Sequence, residues 1–183
     1  MSASNFPTSQ YTSTHFTESA GAILFRLTST PNQVSLIRHP TRDEWSLPKG
    51  RRNCQESRKE AAVREVMEET GYPCRIYPVT MATRSPMSWE PGDVEDKPRM
   101  YPGLEEPFML TMRELDGGSR VKLIWWYVAV VDDNRRARQG EFETRFWPFR
   151  EALQKLTFED DRKVLAQAIE VLESREMTEI CFL

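Results

Sequence analysis

The stretch from Glu56 to Pro73, ESRKEAAVREVMEETGYP, constrains this chain more than any other. It holds no Gly or Pro before Gly71, so a helix is expected from Glu56 or Ser57 to Thr70. Gly71 stands where a left-handed C-terminal cap belongs, and Pro73 blocks continuation. At about 100° per residue, Glu65, Glu68 and Glu69 share one face, with small Ala61 beneath them leaving room for a ligand. Val63, Val66, Met67 and Thr70 lie opposite and call for a sheet to pack against. Like charges at this spacing repel by a few tenths of a kcal/mol per exposed pair, and burial raises the cost. A divalent cation reverses the sign: Mg²⁺ takes oxygen ligands, keeps several waters and is often shared with substrate phosphates. Taken alone, three such glutamates also fit a solvated acidic face.

Strand and helix signals alternate around this helix. Residues 20–27 and 33–38 predict two strands joined by a Pro-containing turn, and 45–47 a third, stopped by Pro48. Lys49 to Gln55 is a polar loop. Arg75 to Thr83 predicts a strand, as do Pro107 to Arg113, Val121 to Val131 and Phe146-Trp147. Helices are expected over 150–156 and 159–174, the second with a buried stripe from Val164 to Leu172. This order favours an α/β layer fold with a mixed sheet.

The 183 residues suit one domain over 19–183, preceded by a Ser/Thr-rich tail, 1–18, expected to be disordered or loosely held. No apolar run approaches the roughly 18 residues of a membrane helix. The tail carries no apolar stretch and no Lys or Arg before Arg26, unlike a signal or transit peptide. Cys54, Cys74 and Cys181 lack CxxC spacing, and free thiols point to a reducing compartment, cytoplasm or nucleus. The net charge of −3 lacks the basic excess of a nucleic-acid binder, so an anionic partner must meet a local basic patch.

Gly50, Glu56, Arg64, Glu65, Val66, Glu68, Glu69 and Gly71 stand at set intervals. The pattern is Gly, five residues, Glu, seven residues, Arg-Glu, an aliphatic residue, any residue, Glu-Glu, any residue, Gly. It resembles the box of the Nudix hydrolase family. Only the final aliphatic position departs, where Tyr72 stands. With each residue type at about 7% frequency, seven fixed identities meet by chance on the order of once in 10⁶ chains of this length. The entry WSLPKG, Trp45 to Gly50, is similar to that of members acting on diadenosine or diphosphoinositol polyphosphates.

The resemblance implies an α/β/α sandwich and a Mg²⁺- or Mn²⁺-dependent hydrolase of an anionic diphosphate substrate. It implies Glu65, Glu69 and the backbone of Gly50 or Lys49 as metal ligands and Glu68 as proton acceptor. Glu56 and Arg64 become a supporting ion pair. Lys49, Arg51 and Arg52 form a local basic cluster suited to phosphate, with Arg58 and Lys59 beside it. Arg38, Arg84 and Lys122 flank strands near the site. Trp125 and Trp126 point to opposite faces of one strand, one to the core and one available to stack on a base. Glu141 and Glu143 are further acids in a region where some relatives carry one. His15 and His39 have no ligand spacing.

Residues 84–120 hold five prolines and eight acids, and a connection this long is usually functional or disordered. Trp89, Tyr101, Lys97, Arg99 and Arg113 give it the means to choose a substrate, and its acids disfavour a densely anionic inositol. Nucleotide sugars, nucleoside triphosphates and capped RNA are the alternative substrates, and a non-catalytic binding module is the alternative class.

Overall fold

The computed structural model describes residues 6–28 and 30–180, with side chains as far as Ser174. The strands are β1 (Phe16–Arg26), β2 (Gln33–His39), β3 (Glu44–Ser46), β4 (Lys49–Arg51), β5 (Cys74–Ile76), β6 (Val79–Thr83), β7 (Arg99–Leu104), β8 (Met109–Leu115), β9 (Arg120–Val131) and β10 (Glu143–Pro148). The helices are α1 (Arg58–Thr70), α2 (Phe149–Lys155) and α3 (Glu159–Ile180).

Two long strands hold the centre. β1 and β9 pair in parallel from Phe16↔Val121 to Phe25↔Val130. Parallel strands need a covering layer on each face, and both are covered here. On one face Ala20, Ala22, Leu24, Tyr127 and Ala129 meet Ala61, Ala62 and Val66 of α1. On the other, Ile23, Phe25, Ile124, Trp126 and Val128 meet Ala152, Val164, Leu165 and Ala168 of α2 and α3. The remaining pairings are antiparallel and make the sheet mixed, in the order β10-β2-β1-β9-β5, with β3 on β2, β4 on β1 and β8 on β9. The result is the expected α/β/α sandwich.

Several expectations shift. β1 starts at Phe16, inside the stretch expected to be a loose tail, because Phe16 to Ser19 have backbone partners on β9. Residues 1–5 lie outside those described. The polar loop after Pro48 opens as β4, and the strand expected over 75–83 divides into β5 and β6 around Tyr77-Pro78. Residues 84–120 carry β7 as well as β8. β6 and β7 form a separate hairpin, from which Val79, Met81 and Leu104 join the core under α3. Ala61 is fully buried between α1 and β1, so its small size serves close helix–sheet packing and not ligand approach.

Candidate active site

α1 is locked at both ends. Ser57 caps its start: Ser57 Oγ accepts the Glu60 N–H at 3.2 Å, and Glu60 Oε2 accepts the Ser57 N–H at 2.8 Å. Gly71 ends it at φ 77°, donating its N–H to the Met67 carbonyl. A side chain there would face both backbone strain and the Arg138 carbonyl, 2.1 Å from an added Cβ.

Arg64 is the hub of the glutamate face. Its Nε donates to Glu56 Oε1 at 2.7 Å and its Nη2 to Glu56 Oε2 at 3.0 Å. Nη1 donates to Glu65 Oε1 at 2.7 Å and to Glu68 Oε2 at 2.9 Å, and Nη2 also reaches the Arg51 carbonyl. One guanidinium therefore ties three glutamates to the end of β4, and its pKa is raised by these partners, Glu56 foremost. Glu56 also accepts the Asn53 N–H, and its carboxyl sits below the ordinary range, held there mainly by Arg64.

Glu69 is placed differently. Its Oε2 accepts the backbone N–H of Lys49 at 2.7 Å. Burial pushes its carboxyl up to about 7, helped by the charges of Glu65 and Glu141 and opposed by the Lys49 N–H and the Lys49 charge. Glu141 comes close because the loop before β10 lies on the end of α1: the Glu141 N–H donates to the Glu68 carbonyl and the Phe142 N–H to that of Glu69. Glu143, the other acid singled out, instead pairs with Arg38 and Arg145.

Register then sorts the basic residues. β4 pairs with β1 as Ser19↔Arg51, Ala20↔Gly50 and Gly21↔Lys49. Alternation puts Gly50 on the α1 face, against Glu65, and Lys49 and Arg51 on the opposite face. β8 and β9 add Arg113↔Lys122 to that same face. Half-buried Lys122 has its pKa lowered by desolvation and then by the charges of Lys49, Arg113 and Arg51, with only Glu65 counted against them. Among the described residues, none of these four side chains has an ion-pair partner. Ser19 Oγ, buried on this face, also has no protein partner.

The other basic candidates are already engaged. Arg52 donates to Glu18 and to the Glu56 carbonyl, and Arg58 donates twice to Glu18. Lys59 pairs with Glu105, Arg84 with Asp96, and Arg38 with Asp43 and Glu143. Glu18 is a residue the sequence did not single out. Burial opposes its ionisation, yet Arg58, Trp125 and Arg52 outweigh that and hold its carboxyl below the ordinary value. Trp126 is the core tryptophan. Trp125 donates to Glu18 and lies under Arg58, 4.0 Å from the ring centroid, so neither ring is offered to a base. Tyr101 is bound to Glu90 and Arg99, whereas Trp89 is 77% exposed.

A divalent cation fits this donor set. Glu69 is a half-buried acid that feels the charges of Glu65 and Glu141, and the missing Cβ of Gly50 leaves the space that the Glu65 carboxylate occupies. Among the described residues no group of three or more acidic, His or Cys side chains is placed to hold a metal ion by itself. Mg²⁺ does not need one, since it completes its shell with water, backbone and phosphate oxygens. Cys54 and Cys74 are free thiols, Cys181 lies outside the described residues, and among the described residues no helix is long and apolar enough to cross a membrane.

The chain is 25% identical over 175 residues to the 8-oxo-(d)GTP phosphatase of Mycolicibacterium smegmatis, a match covering 86% of this chain and 42% of that protein. It is 42% identical over 60 residues to putative nudix hydrolase 1 of Caenorhabditis elegans, covering 31% of this chain and 16% of that one. The chain thus spans less than half the length of either curated relative. The crystal structure of the C. elegans Ap4A hydrolase superposes with a TM-score of 0.56 at 15% identity, over 83% of this chain and 95% of that one, a likeness of fold. Residues 16–168 match the NUDIX domain, and the chain belongs to that family.

Proposed function

We infer that this protein is a divalent-metal-dependent hydrolase that cleaves a phosphoanhydride bond in a nucleoside or inositol diphosphate derivative, with dinucleoside polyphosphates ahead of diphosphoinositol polyphosphates. The observation that carries this reading is the division at β4. Glu65 and Glu69 reach the strand from the α1 face, while unpaired Lys49, Arg51, Arg113 and Lys122 gather on the other. The four cations share only the nearby charges of Glu65, Glu69 and Asp161 and have no direct ion pair among the described residues, an arrangement that an added anion relieves.

In this reading Glu65 and Glu69 hold Mg²⁺ or Mn²⁺ with a Gly50 or Lys49 carbonyl, and Glu141 adds negative charge beside them. The ion, when bound, screens phosphate charge and lowers the pKa of water. Glu68, the exposed member of the trio, accepts the proton of the attacking water. Arg64 keeps Glu56, Glu65 and Glu68 in fixed relation. The four cations take the phosphate oxygens. Arg38, Arg52 and Arg84 serve as struts, since each already holds a carboxylate. The segment 84–120 chooses among substrates, with exposed Trp89 its best stacking surface.

A nucleoside triphosphate is the second reading, favoured by the likeness to the Mycolicibacterium phosphatase. The test is phosphate release from diadenosine tetraphosphate, a diphosphoinositol phosphate and dGTP, with Mg²⁺ and with excess chelator. Turnover should require the metal, and Glu68→Gln or Glu69→Gln should each lower kcat by about 10²–10⁴-fold. Undiminished turnover in chelator, or a variant above about a tenth of the wild-type rate, would overturn the assignment.

A further inference from the structure

A second group of cations lies beyond the far end of α1. The connection between β9 and β10 carries Arg135, Arg136 and Arg138, all exposed. With Glu68, Met67 and Gly71 they line a cleft of about 810 Å³. Among the described residues none of the three has an ion-pair partner, whereas Arg38, Arg52, Arg58, Arg64, Arg84 and Arg99 are all held by carboxylates.

The loop that presents them is fixed in place. The Asp132 N–H donates to the Pro73 carbonyl at 2.8 Å, and the Arg135 N–H to the Asp132 carbonyl at 3.1 Å. The Arg138 N–H donates to the Gly71 carbonyl at 2.8 Å, followed by the Glu141 and Phe142 bonds onto Glu68 and Glu69. Two glycines permit this contact. A Cβ on Gly140 would lie 2.5 Å from the Thr70 carbonyl carbon and 2.6 Å from the Glu69 carbonyl oxygen. A Cβ on Gly71 would strike the Arg138 carbonyl. Backbone thus lies directly on backbone, beside Glu68 and Glu69.

Stabilising the helix C-terminus does not account for three arginines. The Glu68, Glu69 and Gly71 carbonyls already accept the loop's own N–H groups, and the helix carries only about half a charge there. Asp132 and Asp133 are the nearby acids of the loop: Asp132 accepts the Asn134 N–H and Asp133 the Thr28 hydroxyl. Glu68, the acid lining the cleft, is bound to Arg64.

We propose that Arg135, Arg136 and Arg138 form a second phosphate clamp, on the opposite side of the glutamates from Lys49, Arg51, Arg113 and Lys122. This rests on the reading of the glutamates as the cleavage site. A substrate with two phosphates occupies the glutamates and one clamp. A longer polyphosphate chain reaches both, and each guanidinium offers paired N–H donors to phosphate oxygens. The two clamps therefore select dinucleoside polyphosphates over nucleotide sugars by the length of the phosphate chain.

The test is equilibrium binding, by calorimetry in excess chelator, where the proposed hydrolysis is off. The probes are diadenosine diphosphate, tetraphosphate and hexaphosphate. Wild type should tighten by at least about tenfold from two phosphates to six, as added charge-assisted bonds form. In Arg135→Gln/Arg136→Gln/Arg138→Gln that gain should shrink below about threefold, with diphosphate affinity unchanged within about twofold. The corresponding triple Lys variant should recover part of the gain through charge alone. Thermal melts check the fold, and single Arg136→Gln carries the same comparison should the triple variant unfold. A length-dependent gain that survives in the Gln variants would overturn the clamp, as would an equal loss at every length. Failure of the cleavage reading would appear elsewhere, as no Mg²⁺-dependent turnover of any of the three by wild type.

Discussion

Gly50 and Glu65 touch so closely that no side chain fits between them: an added Cβ at Gly50 would lie 1.9 Å from Glu65 Oε2 and 2.0 Å from its Cδ. Gly50 does not adopt the left-handed conformation that would itself demand glycine. Alanine there brings no backbone strain and acts through this contact alone. Gly50→Ala should displace the Glu65 carboxylate, leave the circular dichroism spectrum unchanged, and lower kcat by about 10²-fold, the usual size of an effect from a 1 Å misplacement. A wild-type kcat would show that the position of this carboxylate does not matter to the reaction.

Lys122 offers a different separation. Its half-buried ammonium is disfavoured by desolvation and by Lys49, Arg113 and Arg51. Removing the charge should help the free protein and harm the complex. Lys122→Met keeps the length of the side chain, so it should raise Tm in phosphate-free buffer while raising KM for an anionic substrate by about tenfold at low salt. The KM difference should narrow at high salt as screening grows. An unchanged KM would remove Lys122 from the binding face, and a lowered Tm would show that its stem matters more than its charge.

The helix and the identities of its glutamates were legible because their signals are local: a cap, a period of 3.6 and a glycine stop lie within one stretch. The roles of the basic residues were not. Lys49, Arg52 and Arg58 look alike in sequence, and only the pairing of β1 with β9 brings Glu18 beneath Trp125 and Arg58, where it binds Arg52 and Arg58 and leaves Lys49 free. Arg113 and Lys122 become neighbours through a strand register that their separation in the chain conceals. β7 was missed because Pro102 and Gly103 interrupt it, and it holds as a strand by pairing with β6. The arginines after Asp133 carry no local signal of a site, because their loop meets the end of α1 only through the backbone contact at Gly140 and Gly71.

Asp161 supplies a pH test away from the glutamates. It is 3% exposed at the start of α3 and accepts the Leu47 N–H at 3.4 Å, in a small cavity shared with Lys49, Arg113 and His39. Burial raises its pKa, against the opposing pull of Lys49, the Leu47 N–H and Arg113. An acid whose folded pKa exceeds its unfolded one is most favourable to folding when protonated. Its contribution is present below the unfolded value of 3.8 and falls as pH rises through the folded one. Asp161→Asn keeps the shape, retains an acceptor for Leu47 and cannot ionise. The variant should therefore match wild type in acid and become the more stable protein towards neutral pH. Each kcal/mol gained should read as about 2–4 °C in Tm for a domain of this size. The opposite result would be a wild-type advantage at neutrality that vanishes in acid. It would mean that attraction to Lys49 and Arg113 exceeds the cost of burial, and that Asp161 restrains the cations at β4.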